Sequence, residues 1–433
     1  MTIMLSARDH NGRCWNHRLG RFRRYSLPEP DVDDTSAILR KRKVSDRSDS
    51  AQRDAKSQAF SSSVWSHMML SDEAKEFLYT PADFVWFMTY SDYVFNAEAR
   101  WTKFDKLLQS TWRSAHDCEG VFRYELNKLE TKVLSGDYGF VAQLNAKRAQ
   151  ERRPPEVMAS MSVPFNHDKF NFTKIKPQEV LFTLKESQQV KEDKSNGDFV
   201  IANISPLEFC HVLLVPKLYL CRPQILTLDA LRIALHSILL SGSWKLRVGF
   251  NSMGALASVN HLHAHAYYIA HNLPTETLPA LPLAGPCHTV SKYPASGFVL
   301  QFPPLDRRKP ESLSDELELF VQDVHGFIHQ LQVNEIPHNL FITRGTPLYA
   351  DMSRKNLVIR VYIWTREFSY TQKDQTAFNA ALCELSGHLP IKNEPAFGTV
   401  TERDVCRVLH DVTQEMFLKA KPLASKHFTS PNP

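Results

Sequence analysis

The sequence lacks the features that mark membrane, secreted and disulfide-bonded proteins. No run of 18 apolar residues occurs, so no transmembrane helix is predicted. Arg8, Asp9 and His10 follow closely on the opening Met-Thr-Ile-Met-Leu, which leaves no apolar core for a signal peptide. The seven cysteines, at positions 14, 118, 210, 221, 287, 383 and 406, form no C-x-x-C pair. Scattered cysteines in odd number are typical of reduced thiols, and they predict a cytoplasmic protein without a membrane partner.

Common signatures of nucleotide and nucleic-acid binding are missing as well. The chain contains no G-x-G-x-x-G, no P-loop and no internal repeat. Its net charge of +5 is small for 433 residues and lies mostly near the N-terminus. Such a charge suits anionic small molecules such as nucleotides, but it is too small to predict nucleic acid as a partner.

The first part of the chain differs in composition from the remainder. Residues 1–70 are rich in Ser, Arg and Asp and include Arg21-Phe22-Arg23-Arg24 and Arg40-Lys41-Arg42-Lys43. Such a segment buries too little apolar surface to offset the entropy lost on ordering. A phosphorylated regulatory tail and a nuclear-import signal are alternative interpretations, but a disordered polar and basic tail is favoured. Ordered structure is expected to begin with a helix cap at Ser71-Asp72-Glu73.

Apolar periodicity predicts helices and strands in mixed order over the remainder. Helices are expected over 101–114, 227–242, 314–332, 375–387 and 402–419. Short strands are expected around a turn at Ser135-Gly136-Asp137, and further strands over 199–202, 210–215, 244–250, 258–269, 339–344 and 356–364. This mixed order favours an α+β fold over a doubly wound parallel sheet.

The segment His261-Leu262-His263-Ala264-His265 points to chemistry. In a strand its three imidazoles would share one face, while small apolar residues would occupy the other. Three adjacent imidazoles seldom serve packing alone, because each needs a hydrogen-bond partner when it is buried. The pattern by itself is compatible with three interpretations: a metal site, a catalytic nucleophile, or histidines that only pack in the core.

The loop in front of the histidines favours the nucleophile. Asn251-Ser252-Met253-Gly254 leads through small and polar residues to Ser258. The backbone N–H groups of this loop and the Ser258 hydroxyl could hold phosphate oxygens, and a metal site would not need them. We therefore expect His263 to attack a nucleotide α-phosphate, with no metal and no cofactor.

These residues resemble the histidine-triad superfamily, whose signature is a polar loop, a Ser and then H-x-H-x-H or H-x-H-x-Q. Asn203-Ile204-Ser205-Pro206 and His211-Val212-Leu213-Leu214-Val215-Pro216-Lys217 resemble its ribose-binding strand and the strand paired with it. Over about residues 75–420 the chain also resembles the animal GDP-D-glucose phosphorylases, relatives of plant GDP-L-galactose phosphorylases and galactose-1-phosphate uridylyltransferases. That closer resemblance is carried by Gln143-Leu144-Asn145, Arg152-Arg153-Pro154-Pro155, Phe170-Asn171-Phe172, Val248-Gly249-Phe250-Asn251-Ser252, His338-Asn339-Leu340-Phe341 and Gly387-His388-Leu389-Pro390.

The resemblance implies a fold, a domain organisation and a reaction. The fold would be a histidine-triad-like antiparallel sheet with packed helices, similar to galactose-1-phosphate uridylyltransferases. A catalytic domain would span residues 71–332, with a C-terminal α+β portion over 333–433 packed on it. GDP-glucose and inorganic phosphate would give GDP and glucose 1-phosphate through a guanylyl-histidine. A nucleotide-sugar hydrolase or nucleotidyltransferase with the same histidine, and a nucleotide-binding protein without turnover, remain alternatives.

The resemblance also implies roles for the three histidines. His263 would be the nucleophile, and His261 and His265 would bond the α-phosphate or fix the tautomer of His263. His265 stands where transferases and plant phosphorylases usually have Gln, as in the hydrolytic branch of the superfamily. This departure makes water a competing acceptor to be tested.

Other residues are candidates for binding. Asn251 and Ser258 correspond to phosphate-loop positions, and Asn203 corresponds to a ribose-binding acid. A phosphate-accepting enzyme also needs cations, for which the candidates are Lys147, Arg148, Arg152 and Arg153.

Three further polar positions are interpreted as mainly structural. His211 lies in an apolar run and is expected to be a core histidine with a backbone partner. His338 could reach the site from the C-terminal half, but a structural role is favoured. Cys287-His288 is expected to be incidental rather than a pair of metal ligands.

Overall fold

The computed structural model describes eight ranges of the chain. They are residues 75–89, 100–126, 128–153, 160–187, 197–302, 310–348, 356–369 and 376–429. The tail predicted over 1–70 and the cap predicted at Ser71 lie outside them. The first described element is a strand.

Strands and helices alternate irregularly along the chain. The strands are β1 (Glu76–Tyr79), β2 (Thr131–Val133), β3 (Val141–Leu144), β4 (Val180–Glu186), β5 (Asp198–Ala202), β6 (Val212–Val215), β7 (Leu246–Asn251), β8 (Ala264–Tyr268), β9 (Ala280–Ala284), β10 (Cys287–Val290), β11 (Phe298–Phe302), β12 (His338–Gly345), β13 (Val358–Thr365) and β14 (His388–Ile391). The helices are α1 (Lys103–Asp117), α2 (Ala146–Glu151), α3 (Leu228–Leu240), α4 (Pro310–Val333), α5 (Leu382–Leu385), α6 (Glu394–Thr399) and α7 (Glu402–Thr429).

Eleven of these strands form one sheet in the order β1-β4-β5-β6-β8-β7-β12-β13-β11-β10-β9. Neighbouring strands are antiparallel except β1 and β4, which are parallel. A smaller sheet has the order β14-β3-β2. The α+β class with a largely antiparallel sheet and packed helices is therefore confirmed.

The two faces of the large sheet bury different cores, as strand alternation requires. From β8, Ala264, Ala266 and Tyr268 join a core that also contains the apolar residues of α1, α3 and α4. The side chain of Tyr267 points the other way, into a second core with residues of β3, β14 and α7. The predicted small and apolar face of the histidine strand is thus confirmed.

Helix α3 shows how local sequence fixes an element that supports the centre of the sheet. The Thr227 side chain accepts the backbone N–H of Ala230, which satisfies one of the free donors at the start of the helix. Apolar residues cover nearly its whole circumference, and it packs against β6, β7 and β12. A helix that is apolar on most sides is stable only when it is covered, so α3 lies in the interior.

Most predicted elements are present, and two predictions need correction. Only Ala264–Tyr268 of the strand predicted over 258–269 is a strand. The helix predicted over 375–387 is confined to Leu382–Leu385 within residues 376–387, because Arg366 binds the carbonyl of Ala380 and Asn251 accepts the N–H of Leu382. Such tertiary bonds override a weak helix preference. Within the described ranges no helix is long and apolar enough to cross a membrane.

Candidate active site

A pocket lies on the sheet face opposite α3. Strands β5 and β6 contribute Ile201 and Leu213 to its wall, and β8 contributes His265. Five of the six predicted site residues line it: Asn203, Asn251, Ser258, His263 and His265. Three of the predicted cations, Arg148, Arg152 and Arg153, line it as well. The ring of His261 is not part of the lining.

His263 is held as a neutral imidazole with one nitrogen available. Its Nδ1 lies 2.7 Å from the carbonyl oxygen of His261. A carbonyl only accepts hydrogen bonds, so Nδ1 carries the proton and Nε2 keeps its lone pair. Burial lowers the pKa of His263 to about 4, which keeps the ring neutral near pH 7. This arrangement presents a nucleophilic nitrogen to the pocket.

The backbone at His263 is fixed by a side chain far away in sequence. Gln224 Oε1 accepts the N–H of His263 at 2.9 Å, and Gln224 Nε2 donates to the carbonyls of His263 and Asn251, each at 3.0 Å. These bonds replace the strand ladder, which explains why β8 begins only at Ala264. Gln224 thereby ties the polar loop and the histidine segment together.

His265 receives its orientation from His211. The N–H of Leu207 donates to His211 Nδ1 at 2.8 Å, so a neutral His211 carries its proton on Nε2. That Nε2 lies 3.1 Å from His265 Nδ1 and 3.2 Å from Asn203 Nδ2. Because an amide nitrogen does not accept, His265 Nδ1 is the acceptor, and the proton of His265 stands on Nε2. The expected backbone partner of His211 is present, and its bond to His265 adds a connection to the pocket.

Burial keeps both of these rings neutral. Desolvation lowers the pKa of His211 and of His265 well below the usual histidine value, and neighbouring imidazoles and Arg148 act in the same direction. A neutral His265 with Nε2–H is a hydrogen-bond donor. Its ring is next to that of His263, with 5.1 Å between the two ring centroids.

His261 occupies a different position from the one expected. Its Nε2 donates to the carbonyl of Leu218 at 3.0 Å, and its Nδ1 accepts the N–H of Phe172 at 3.1 Å. Both ring nitrogens are therefore used in packing, outside the pocket lining. Three imidazoles on one strand face was a wrong prediction, because His261 and His263 precede β8. The backbone carbonyl of His261, rather than its ring, fixes the tautomer of His263.

The polar loop contributes side chains more than backbone N–H groups. The N–H groups of Ala255 and Ala257 both donate to the carbonyl of Ser252, so they are not free for an anion. Asn251 Oδ1 accepts from Asn339 Nδ2 at 2.6 Å and from the N–H of Leu382 at 3.2 Å. With its oxygen occupied, the Asn251 amide offers Nδ2 donors to the pocket.

Four arginines give the pocket positive charge: Arg123, Arg148, Arg152 and Arg153. The guanidinium of Arg148 donates to the carbonyl of Ser205, and that of Arg153 lies 3.5 Å from the ring centroid of Phe170. Burial, followed by the charge of Arg148, lowers the pKa of Arg152 to about 10, so it stays charged near pH 7. Its guanidinium has no hydrogen bond to another residue of the described ranges. Lys147 is exposed outside the pocket lining.

The other polar candidates lie elsewhere. His338 is fully buried outside the pocket lining, and its Nδ1 donates to the carbonyl of Ile336. His288 Nδ1 donates to the carbonyl of Pro286, and Cys287 is buried in the helix-side core. Within the part of the chain that the structure describes, no group of three His, Cys, Asp or Glu side chains is arranged to hold a metal ion.

Sequence reasoning missed several residues that shape the pocket. Gln224, Arg123, Glu179 and Glu384 carry no local signal, because each reaches the pocket through a contact between distant segments. His211 did carry a signal, since it is a polar residue placed directly before the apolar run of β6.

Two family models match the chain. One, described as "GDPGP1-like, N-terminal domain", covers residues 103–267, and the other, "GDPGP1-like, C-terminal domain", covers residues 271–425. GDP-D-glucose phosphorylase 1 of Homo sapiens is 43% identical over 71% of this chain and 79% of its own. The protein of that name from Danio rerio is 39% identical over 80% and 95%, respectively. GDP-L-galactose phosphorylase 2 of Arabidopsis thaliana is 32% identical over 73% and 74%. A solved structure of yeast Ap4A phosphorylase Apa2 with AMP aligns with 72% of this chain and 96% of its own, at 14% identity and a TM-score of 0.49.

Proposed function

The chain belongs to the GDPGP1-like family, and from that premise we propose that it is a GDP-D-glucose phosphorylase. It transfers the guanylyl group of GDP-glucose to inorganic phosphate and releases glucose 1-phosphate and GDP. The resemblance to GDP-D-glucose phosphorylases expected from the sequence is confirmed by relatives that share 38–44% identity with it. The protein is accordingly an enzyme of the nucleotidyltransferase type.

In the first half of the proposed reaction, Nε2 of His263 attacks the α-phosphorus of GDP-glucose. An N–P bond forms, and the bond from the α-phosphorus to the bridging oxygen breaks, which releases glucose 1-phosphate. The electron pair leaves with the bridging oxygen, which becomes part of a phosphate monoester and is a weak base. This step therefore needs little help from a general acid.

In the second half, an oxygen of inorganic phosphate attacks the guanylyl-histidine. A P–O bond forms, the N–P bond breaks, and GDP is released while His263 recovers its lone pair. Dividing one displacement into two steps gives a ping-pong reaction with a covalent intermediate. No metal or cofactor has a part in this course.

The observation that carries the proposal is the proton arrangement of His263. The carbonyl of His261 holds the proton on Nδ1 at 2.7 Å, so the lone pair of Nε2 is present before substrate arrives. His265 Nε2–H and Asn251 Nδ2 are donors in the same pocket for the α-phosphate oxygens. Donors that are already oriented stabilise charge developing in the transition state at little reorganisation cost.

The remaining pocket residues support binding of the two substrates. Arg148 and Arg152 bring charge to the pocket for the β-phosphate or for incoming phosphate. Asn203 lies at the end of β5, and its Oδ1 accepts the N–H of Ser205 at 3.0 Å. We place it against the ribose, with its amide nitrogen in place of the acid found in the superfamily. A cytoplasmic location is retained in the proposal, and the six cysteines in the described ranges are free thiols.

A product analysis tests the proposed function. Purified protein is incubated with GDP-glucose with and without inorganic phosphate, and the nucleotides and sugar phosphates are separated. GDP and glucose 1-phosphate formed only with phosphate are the expected result. GMP formed at the same rate in both reactions would show that water is the acceptor and that the protein is a hydrolase. The histidine at position 265, where transferases usually have Gln, makes this the result to test against.

A further inference from the structure

One end of the pocket is an apolar slot. Phe170, Phe172 and Ile175 line it from one segment, and Ile201 and Leu213 line it from β5 and β6. Phe172 also contacts the nucleophile, with 5.0 Å between its ring centroid and that of His263. The slot therefore begins beside His263, and its aromatic and aliphatic lining suits a planar base.

An acidic side chain, Glu179, also lines the pocket, and Arg153 lies over the ring of Phe170. Glu179 is only 7% exposed, and it ends a short 3-10 helix that follows Ile175 by two residues. Burial raises the pKa of its carboxyl group, while the N–H of Lys176 and the charges of Lys176, Arg123 and Arg153 oppose that rise. A buried carboxylate is costly unless its oxygens receive hydrogen bonds.

Only one oxygen of Glu179 is satisfied within the described ranges. Oε1 accepts the backbone N–H of Lys176 at 2.9 Å, and Oε2 has no hydrogen bond to another described residue. The ammonium of Lys176 is engaged elsewhere, since it donates to the carbonyl of Gly120 at 2.7 Å. One oxygen of the carboxylate, Oε2, thus has no donor from the described residues, at a point where a bound base would supply one.

We propose that Glu179 reads the guanine base, its carboxylate accepting hydrogen bonds from N1–H and the 2-amino group while the purine lies in the slot of Phe170, Phe172 and Ile175. Guanine offers two adjacent donors on this edge. Hypoxanthine offers only N1–H, and adenine has an acceptor at N1 and no 2-amino group. The inference rests on the proposed function, because it concerns the nucleotide of the same substrate, and it assigns the choice of guanine to one residue.

Glu179 also has a local role that the test must separate from base recognition. It is the acid of a capping box, in which its side chain accepts the N–H of Lys176. Asp83 has the same role in an exposed 3-10 helix, where its Oδ2 accepts the N–H of Thr80 at 2.9 Å. Glu179→Gln keeps an acceptor for the cap, and Asp83→Asn is a matched control away from the pocket.

The experiment measures the affinity of the full chain for GDP, IDP and ADP by calorimetry, alongside turnover of GDP-glucose. Wild type should bind GDP more tightly than IDP and IDP more tightly than ADP. Glu179→Gln should lose about 100-fold in GDP affinity, because charged hydrogen bonds to the base are lost. It should lose much less with IDP and ADP, and it should unfold near the wild-type temperature. Asp83→Asn should leave all three affinities unchanged.

Two results would overturn the inference. The first is a GDP-to-IDP affinity ratio that is the same in Glu179→Gln as in wild type. The second is an equal loss of affinity for all three nucleotides, which would mean that Glu179 only shapes the backbone of the slot. Failure of the proposed function looks different: wild type would then not turn over GDP-glucose, whatever its preference among free nucleotides.

Discussion

At the scale of single residues, the proposed reaction depends on which nitrogen of each histidine carries the proton. A chain of hydrogen bonds runs from the N–H of Leu207 through His211 to His265, and it places the proton of His265 on Nε2, in the ring next to that of His263. Neither tautomer requires a charged group, because each is fixed by a backbone N–H or carbonyl. In this account His211 is a positioning residue that acts through His265.

The first prediction tests this chain of hydrogen bonds with His211→Phe, which removes the donor to His265 and keeps an aromatic ring. Catalytic efficiency should fall on the order of 100-fold, mostly in kcat, because His265 then no longer presents a fixed donor to the transition state. Steady-state kinetics with GDP-glucose measures the change.

His236→Phe is the matched control for that variant. His236 is buried in α3, where its Nδ1 lies 3.0 Å from the hydroxyl of Tyr79, outside the pocket lining. It should reduce the melting temperature and leave kcat unchanged. If the His211 variant also loses stability only, the chain of hydrogen bonds has no part in catalysis.

The second prediction concerns the pH dependence of the first half-reaction. His263 attacks only when it is neutral, and burial lowers its pKa to about 4. Activity should therefore persist as the pH falls below 6.5 and should be lost only as it approaches about 4. The pH profile of kcat/KM for GDP-glucose, measured over times too short for unfolding, reports this pKa. A fall in activity centred near 6.5 would contradict a buried, neutral nucleophile.

Part of the candidate site was predictable from the sequence at this scale. The H-x-H-x-H segment and the polar loop gave His263, His265, Asn251 and Ser258 correctly as neighbours, since strand and loop are local features. The structural use of the His261 ring was not predictable, because its partners Leu218 and Phe172 lie 43 and 89 positions away in the chain. Nor was the Gln224 contact, for the same reason.

At the scale of elements, strand β7 lies next to the strand that carries the pocket histidine His265. Gly249 of β7 pairs with His265 of β8 on one side and with Phe341 of β12 on the other. A Cβ at this position would lie 2.6 Å from the carbonyl oxygen of Leu340 and 3.0 Å from Cδ1 of Leu382, a residue of the pocket lining. Gly249 therefore allows β12 and α5 to approach the site closely.

The third prediction compares Gly249→Ala with Gly398→Ala. In β7 the added methyl group must displace backbone, so the variant should unfold at a lower temperature, with a loss of about 1–3 kcal/mol, and lose activity. In α6 the Cβ of residue 398 meets nothing within 4 Å, so that variant should be neutral or stabilised by about 0.5–1 kcal/mol. Thermal unfolding of both proteins decides the matter, and equal melting temperatures would refute the packing argument for β7.

Helices and strands were predicted correctly where the apolar periodicity extends over a long continuous segment. Helix α4 and strands β12 and β13 were expected from periodicity alone and are present with shifted ends. Strand β8 was predicted too long because Gln224, rather than a strand neighbour, satisfies the backbone of His263. The α6 helix was not predicted, since six residues carry too little periodicity.

At the scale of the whole molecule, the chain holds many histidines neutral in its interior. Burial lowers the pKa of nine described histidines, and it does so most strongly for seven: His211, His236, His261, His263, His265, His338 and His388. In the unfolded chain each would bind a proton near pH 6.5. Because the unfolded state then binds more protons than the folded state, stability must fall as the pH drops below that value.

The fourth prediction follows from this fall in stability at low pH. Each such histidine should remove roughly 1.4 kcal/mol of unfolding free energy per pH unit between pH 6.5 and its own folded pKa. Buried Glu179 and Glu384, whose pKa values are raised by burial, act in the opposite direction at lower pH. Urea unfolding at pH 7.5, 6.5 and 5.5 should show a loss of stability over the first step and a loss about three times as large over the second, because each histidine is only half protonated in the unfolded chain at pH 6.5. Equal stability at all three pH values would contradict the neutral interior.

For the overall architecture, only the fold class could be predicted from the sequence. The order of elements indicated α+β, but which strands are neighbours is a matter of long-range pairing. Strands β12 and β13 lie between β7 and β11, so one sheet contains strands from both sides of residue 332. The division into domains at 71–332 and 333–433 stays a prediction.

Intact-protein mass spectrometry can detect the proposed transfer of the guanylyl group from GDP-glucose to His263. The protein is incubated with GDP-glucose in the absence of phosphate, and the His263→Asn variant is treated in parallel. Wild type should gain the mass of one guanylyl group, and the adduct should map to the peptide that contains His263. Added phosphate should then release the guanylyl group as GDP. An adduct on another residue, or turnover of GDP-glucose by His263→Asn at the wild-type rate, would contradict the account.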